Sequence, residues 1–164
     1  MTDVEMINAM CNMQKKLDKA LLEKGKALGK IEAYDRERTT FALIDEIGEL
    51  VHELKGDWCW WKATQKPVDR QKMLEELVDV WHFALSLDNH NVEHSLRLDL
   101  TLIKPMTTDV LYNLFRTIRF AINDMLVTEQ LYKLTYDLGF TMEEVYNGYI
   151  AKNKENYERI ERGY

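Results

Sequence analysis

Apolar residues recur at helical spacing along most of this chain. Met6, Met10, Met13, Leu17 and Leu21 make one stripe, and Thr2 with Glu5 supplies a capping box ahead of it. The spacing predicts a helix over about 3–22, with Gly25 and Gly29 loosening the chain afterwards. Phe41, Ile44, Ile47, Val51 and Leu54 repeat the pattern and predict a second helix over about 38–55, stopped at Gly56. Pro67 suits the first turn of a third helix over about 68–87. Further helices fit about 107–124 and 128–138, and a capping box at Thr141 and Glu144 opens a last one over about 142–161. Residues 88–105 mix Asn and His with alternating Leu98, Leu100 and Leu102, and read as a loop or short strand. The expected fold is all-α, a bundle of antiparallel helices around one core.

Composition narrows the picture. A chain of 164 residues suits one domain spanning 1–164, with a variable segment at about 88–124. With 46% hydrophobic residues and only 2 prolines and 7 glycines, disorder, collagen and all-β arrays are excluded. A net charge of −6 argues against a protein held on nucleic acid by phosphate contacts. Cys11 and Cys59 form no Cys-x-x-Cys pair for zinc or redox work. Cys11, beside the Met stripe, reads as a packed thiol, and Cys59 has no paired base. The longest run free of Asp, Glu, Lys and Arg is Met6–Gln14, far short of the ~18 residues of a membrane helix. The opening Met-Thr-Asp-Val-Glu has no signal-peptide character, so a soluble cytoplasmic protein is expected.

Three groups of polar residues could carry chemistry. Glu46, Glu49 and Glu53 share one face of the second helix, which is either a solvated acidic face or a ligand set. The third helix is apolar almost all round, from Leu77 to Leu87, yet carries Glu75, Glu76 and Asp79 at its head. Carboxylates in such a place need a partner or a metal ion. If the two helices pack antiparallel, Glu46-x-x-Glu49 and Glu76-x-x-Asp79 meet across the seam. Oxygen-only ligands select Mg²⁺ or Mn²⁺, and Mg²⁺ sites are commonly completed by substrate phosphates. On the last helix Lys152, Asn156 and Arg159 share a face beside Asn153, which is either an ordinary charged surface or a phosphate-binding one.

Together these elements resemble the dimeric dUTPase family, within the all-α NTP pyrophosphohydrolases that include MazG-like proteins. The matching pieces are Glu46-Ile-Gly-Glu49, Glu76-Leu-Val-Asp79, the pair His82-Phe83 and the Trp-rich turn ending Trp60-Trp61-Lys62. The tail Lys152-x3-Asn156-x2-Arg159-x4-Tyr164 completes them. The short 88–140 region looks most like phage-encoded members, for which the compartment would be the host cytoplasm.

The resemblance implies that Glu46, Glu49, Glu76 and Asp79 bind Mg²⁺, with Mn²⁺ a possible substitute. Glu46 or Glu49, with Glu46 preferred, would orient or deprotonate the attacking water. Lys152, Arg159 and Tyr164 would bind phosphates and Asn156 the sugar 3′-hydroxyl. Phe83 would pack under the deoxyribose, and Gln14 would read uracil with Trp61 and His82 near the base. Lys62 and Asn153 complete the expected substrate contacts. The family often has an Asn soon after this Gln, where the present chain has Asp18. The implied reaction is dUTP, and usually dUDP, to dUMP by a homodimer.

Rival readings are a dCTP or broad-range pyrophosphatase, a di-iron bundle built on Glu49-x-x-His52 and Asp79-x-x-His82, or a protein whose main role is binding a regulatory partner such as a repressor. In the last case the segment 88–124, with Arg97, Lys104, Arg116 and Arg119, would carry the contacts; His90 and His94 read as loop residues.

Overall fold

The computed structural model describes residues 1–55, 58–91 and 109–163. Gly56, His94, Arg97, Lys104, Tyr164 and the alternating Leu98–Leu102 stretch lie outside the described residues. Among the described residues six helices follow in order: α1 (Asp3–Ala27), α2 (Arg36–Glu53), α3 (Arg70–Asn89), α4 (Val110–Ile122), α5 (Val127–Asp137) and α6 (Met142–Arg162). Among the described residues there is no strand, and the all-α expectation holds.

The predicted capping boxes open α1 and α6, each with both hydrogen bonds formed. Several boundaries and faces differ from expectation. α1 continues past residue 22 and takes Gly25 inside it. A Cβ at Gly25 would stand 2.6 Å from Ile31 Cγ2, so glycine lets the following loop close on the helix. Met6, Met10 and Leu17 are buried, but Leu21 is exposed. On α2 the buried stripe is Leu43, Ile47, Leu50 and Leu54, while Phe41 stands in solvent. At ~100° per residue Phe41 lies about 120° round the helix from Ile47, outside the core-facing arc. Pro67 precedes α3, because Asp69 takes the cap and accepts hydrogen bonds from the Gln71 and Lys72 amides.

α3 is the central helix and is buried almost all round, as its apolar circumference predicts. Arg36, at the start of α2, donates to the Leu87 carbonyl near the end of α3 (3.3 Å), so α2 and α3 run antiparallel. Its guanidinium also reaches the Ala121 carbonyl and pairs with Asp124, tying in the end of α4. α5 opposes α3 as well. Trp81 Nε1 donates to Thr135 Oγ1 (3.0 Å), and Asp88 accepts from the Val127 and Thr128 amides (2.9 and 2.7 Å). The α5 N-cap residue, Leu126, offers no side-chain bond, so Asp88 is the cap that α5 lacks.

After a turn at Gly139 (φ 80°), α6 returns in the same sense as α3. Contacts step along both helices together: Arg70 with Glu144 (2.8 Å), Val78 with Gly148, and Asp79 with Lys152 (2.7 Å). A Cβ on Gly148 would stand 2.9 Å from Val78 Cγ2, so the α3–α6 approach depends on a residue without one.

Gly148→Val is expected to destabilise the fold by about 1–3 kcal/mol through overpacking. Gly48→Ala, whose Cβ meets open space, is expected to stabilise α2 by roughly 0.5–1 kcal/mol. Urea unfolding followed by circular dichroism checks both.

Candidate active site

The α2–α3 seam carries the acids. Glu46 and Glu49 stand one turn apart on α2, and Glu76 and Asp79 one turn apart on α3. Glu46, Glu49 and Glu76 offer carboxylate oxygens within 4.8 Å of one another. Asp79 pairs with Lys152 Nζ of α6 at 2.7 Å, both side chains being largely buried. Burial, followed by the charges of Asp79, Glu49 and Glu76, pushes Glu46 up to about 7, with Lys152 opposing. Burial, then Glu49 and Asp79, raise Glu76 to about 6. Burial raises Asp79 too, against the pull of Lys152. The shifts describe a concentration of negative charge that a cation would relieve.

These acids open onto a cleft of about 630 Å³ between α1, α2, α3 and α6. It brings together nine residues the sequence singled out: Gln14, Glu46, Glu49, Asp79, His82, Phe83, Lys152, Asn156 and Arg159. Glu76 joins them through the acid cluster. Arg159 donates to Glu155 one turn earlier (2.5 Å).

Away from the acids a hydrogen-bonded chain joins the cleft-lining Gln14 and Asp18 to residues packed behind them. Tyr149 donates its hydroxyl to Gln14 Oε1 (2.6 Å), and Gln14 Nε2 donates to Asp18 Oδ1 (2.7 Å). Asp18 Oδ2 lies 3.4 Å from His90 Nε2, and the His90 ring stacks on Tyr34 at 3.6 Å between centroids. His82 stacks on Tyr149 (4.0 Å) and its Nδ1 lies 2.9 Å from the Val78 carbonyl. A carbonyl only accepts, so Nδ1 carries the proton in the neutral ring and Nε2 is left as an acceptor. Burial pushes His82 down to about 4, and it is neutral near pH 7. Its Nε2 is buried with no hydrogen-bond partner among the described residues.

Three expected substrate contacts among the described residues do not line this cleft. Trp61, in edge contact with Trp58 and Trp60, and Lys62 are exposed outside it. Asn153 is buried and does not line the cleft, and Tyr164 lies outside the described residues. The sequence reading missed Tyr34, Ser86 and Tyr149 and left His90 as a loop residue. Ser86 follows His82 by four positions and Tyr149 precedes Lys152 by three, so helical spacing could have found both. Tyr34 stands in a connection without periodicity.

The architecture is that of an all-helical protein with a carboxylate cluster beside a cleft between helices. A dUTPase family model matches residues 6–164, and the chain belongs to that family, whose enzymes hydrolyse dUTP. No curated protein matches it. Among the described residues, no helix is long and apolar enough to cross a membrane.

A pH dependence follows from the acids. In metal-free protein Glu46 and Glu76 bind protons more tightly when folded than when unfolded. Their contribution to stability therefore grows as the pH falls through 7 and 6. His82, held neutral, acts in the opposite direction below about 6.5. In EDTA, the melting temperature of the native sequence minus that of the Glu46→Gln/Glu76→Gln double variant is expected to rise from pH 8 to pH 6, read by scanning calorimetry.

Proposed function

We propose that this chain converts dUTP and water to dUMP and pyrophosphate, and dUDP to dUMP and phosphate, with the help of Mg²⁺, Mn²⁺ serving as substitute. The observation that carries the reading is the convergence of Glu46, Glu49 and Glu76 within 4.8 Å, beside a cleft that also holds Lys152, Asn156 and Arg159. The donor set fits a hard divalent cation: oxygens only, partly buried, and crowded enough to raise their own pKa values. Glu46, Glu49, Glu76 and Asp79 would hold it. When bound, such ions neutralise phosphate charge and lower the pKa of water.

The protein's own groups do the rest. Glu46 lines the cleft and takes the proton from the attacking water. Lys152 and Arg159 bind phosphate oxygens, joined by Tyr164, and stabilise the charge that builds on the leaving pyrophosphate. Asn156 holds the 3′-hydroxyl, and Phe83 lies under the sugar where a 2′-hydroxyl would crowd it. Gln14 reads uracil, with the neutral His82 ring beside the base. Trp61 and Lys62 take part only if a second copy presents them, which is the homodimer that the resemblance implies.

Pyrophosphate release from dUTP with Mg²⁺, beside dTTP, dCTP, UTP and an EDTA control, tests the reading. Metal-dependent turnover selective for dUTP supports it, and turnover of all four nucleotides discards the uracil assignment. Glu49→Ala and Asp79→Ala are each expected to lower turnover on the order of 1,000-fold while circular dichroism stays helical. A folded Asp79→Ala protein with full activity would remove Asp79 from the site. Phe83→Ala is expected to raise UTP use relative to dUTP about tenfold, measured as the ratio of kcat/KM values.

A further inference from the structure

We infer that Asp18 is a specificity-determining positioning residue, which locks the Gln14 amide in the orientation that accepts uracil and rejects cytosine. The inference rests on the proposed reading of Gln14 as the group that meets the base.

An amide end has two N–H donors on nitrogen and two lone pairs on oxygen. In Gln14 one donor is taken by Asp18 Oδ1 and one lone pair by the Tyr149 hydroxyl. One N–H and one lone pair remain, on a side chain that lines the cleft. Uracil presents an N3–H donor beside a carbonyl acceptor, whereas cytosine presents an N3 acceptor beside an amino donor. The leftover pair on Gln14 matches uracil in one orientation of the amide. Turned by 180°, it matches cytosine equally well. A glutamine able to turn would therefore not tell the two bases apart.

What prevents the turn is the chemistry of the two neighbours. A tyrosine hydroxyl donates or accepts, so Tyr149 tolerates either orientation. An ionised carboxylate only accepts, so turning the amide would set Gln14 Oε1 against Asp18 oxygen. Burial raises the Asp18 pKa on balance, against the Gln14 amide, the Ser86 hydroxyl and the His90 ring. The 2.7 Å bond it accepts from Gln14 and the His90 ring at 3.4 Å are the contacts that suit a carboxylate there. Its side chain is only 9% exposed, so little water is at hand to replace a lost partner. An asparagine in this place could face either end of Gln14. The carboxylate removes that freedom.

The test compares ratios of kcat/KM for three nucleotides. Thymine carries the same hydrogen-bonding edge as uracil and differs by its methyl group, so it reports on pocket shape alone. In Asp18→Asn the dUTP/dCTP ratio is expected to fall at least about tenfold while the dUTP/dTTP ratio stays within about twofold. Tyr149→Phe, which leaves the carboxylate in place, is expected to keep the dUTP/dCTP ratio within about threefold. An unchanged dUTP/dCTP ratio in folded Asp18→Asn would overturn the inference. So would a parallel fall in both ratios, which would mean a generally loosened pocket. If Asp18→Asn does not fold, Asp18→Ser, whose hydroxyl also donates or accepts, is judged by the same criteria. A folded native protein that hydrolyses no dUTP would instead sink the proposed function, before any variant is compared.

Discussion

Like charges confined to one seam are the constraint on which the rest of this structure depends. Glu46, Glu49, Glu76 and Asp79 repel one another, and burial strengthens the repulsion by removing water. The two helices stay together because the opposite side of the same seam is apolar, with Leu43, Ile47, Leu50 and Leu77 fully packed. Lys152 is the one cation that ion-pairs with this group among the described residues. α6 must therefore lie close to α3, and Gly148 permits that approach. Core packing, the glycine contact and the Lys152 pair are three parts of one solution to crowded negative charge.

The cleft inherits a division of labour from this arrangement. Its charged end is set by α2, α3 and α6, and its hydrogen-bonding end by α1, the start of α2 and the far half of α3. On the proposed function, the charged end suits any nucleotide triphosphate, since phosphates are common to all of them, and discrimination falls to the other end, where Gln14, Asp18, Tyr149, His82 and His90 contact one another.

Much of this was legible in the amino-acid sequence. Helical periodicity and the capping boxes predict six helices because amphipathic stripes and N-caps are local properties. The acidic pairs were readable for the same reason: a spacing of three on a helix guarantees a common face. Phe41 shows where such reading stops. Its spacing from Ile44 is helical, but which arc of α2 meets α3 is settled by the whole bundle, and the arc chosen centres on Ile47. Gly25 was read as a breaker because its packing partner, Ile31, lies beyond the helix end. The motif places Trp61 at the base, whereas its ring contacts among the described residues are with Trp58 and Trp60. Tyr34 and His90 escaped because they come from different connections and meet only in three dimensions.

The carboxylate of Asp88 has a consequence for the segment between α3 and α6. The variable segment expected at about 88–124 stops short of α5, and α5 begins on a buried side chain that belongs to α3. Excising α4 and α5 would strip Asp88 of its amide donors and open the pocket around Trp81, whose indole is bonded to Thr135. Through Asp88 and Trp81, α5 is a keystone of the core, not a detachable ornament.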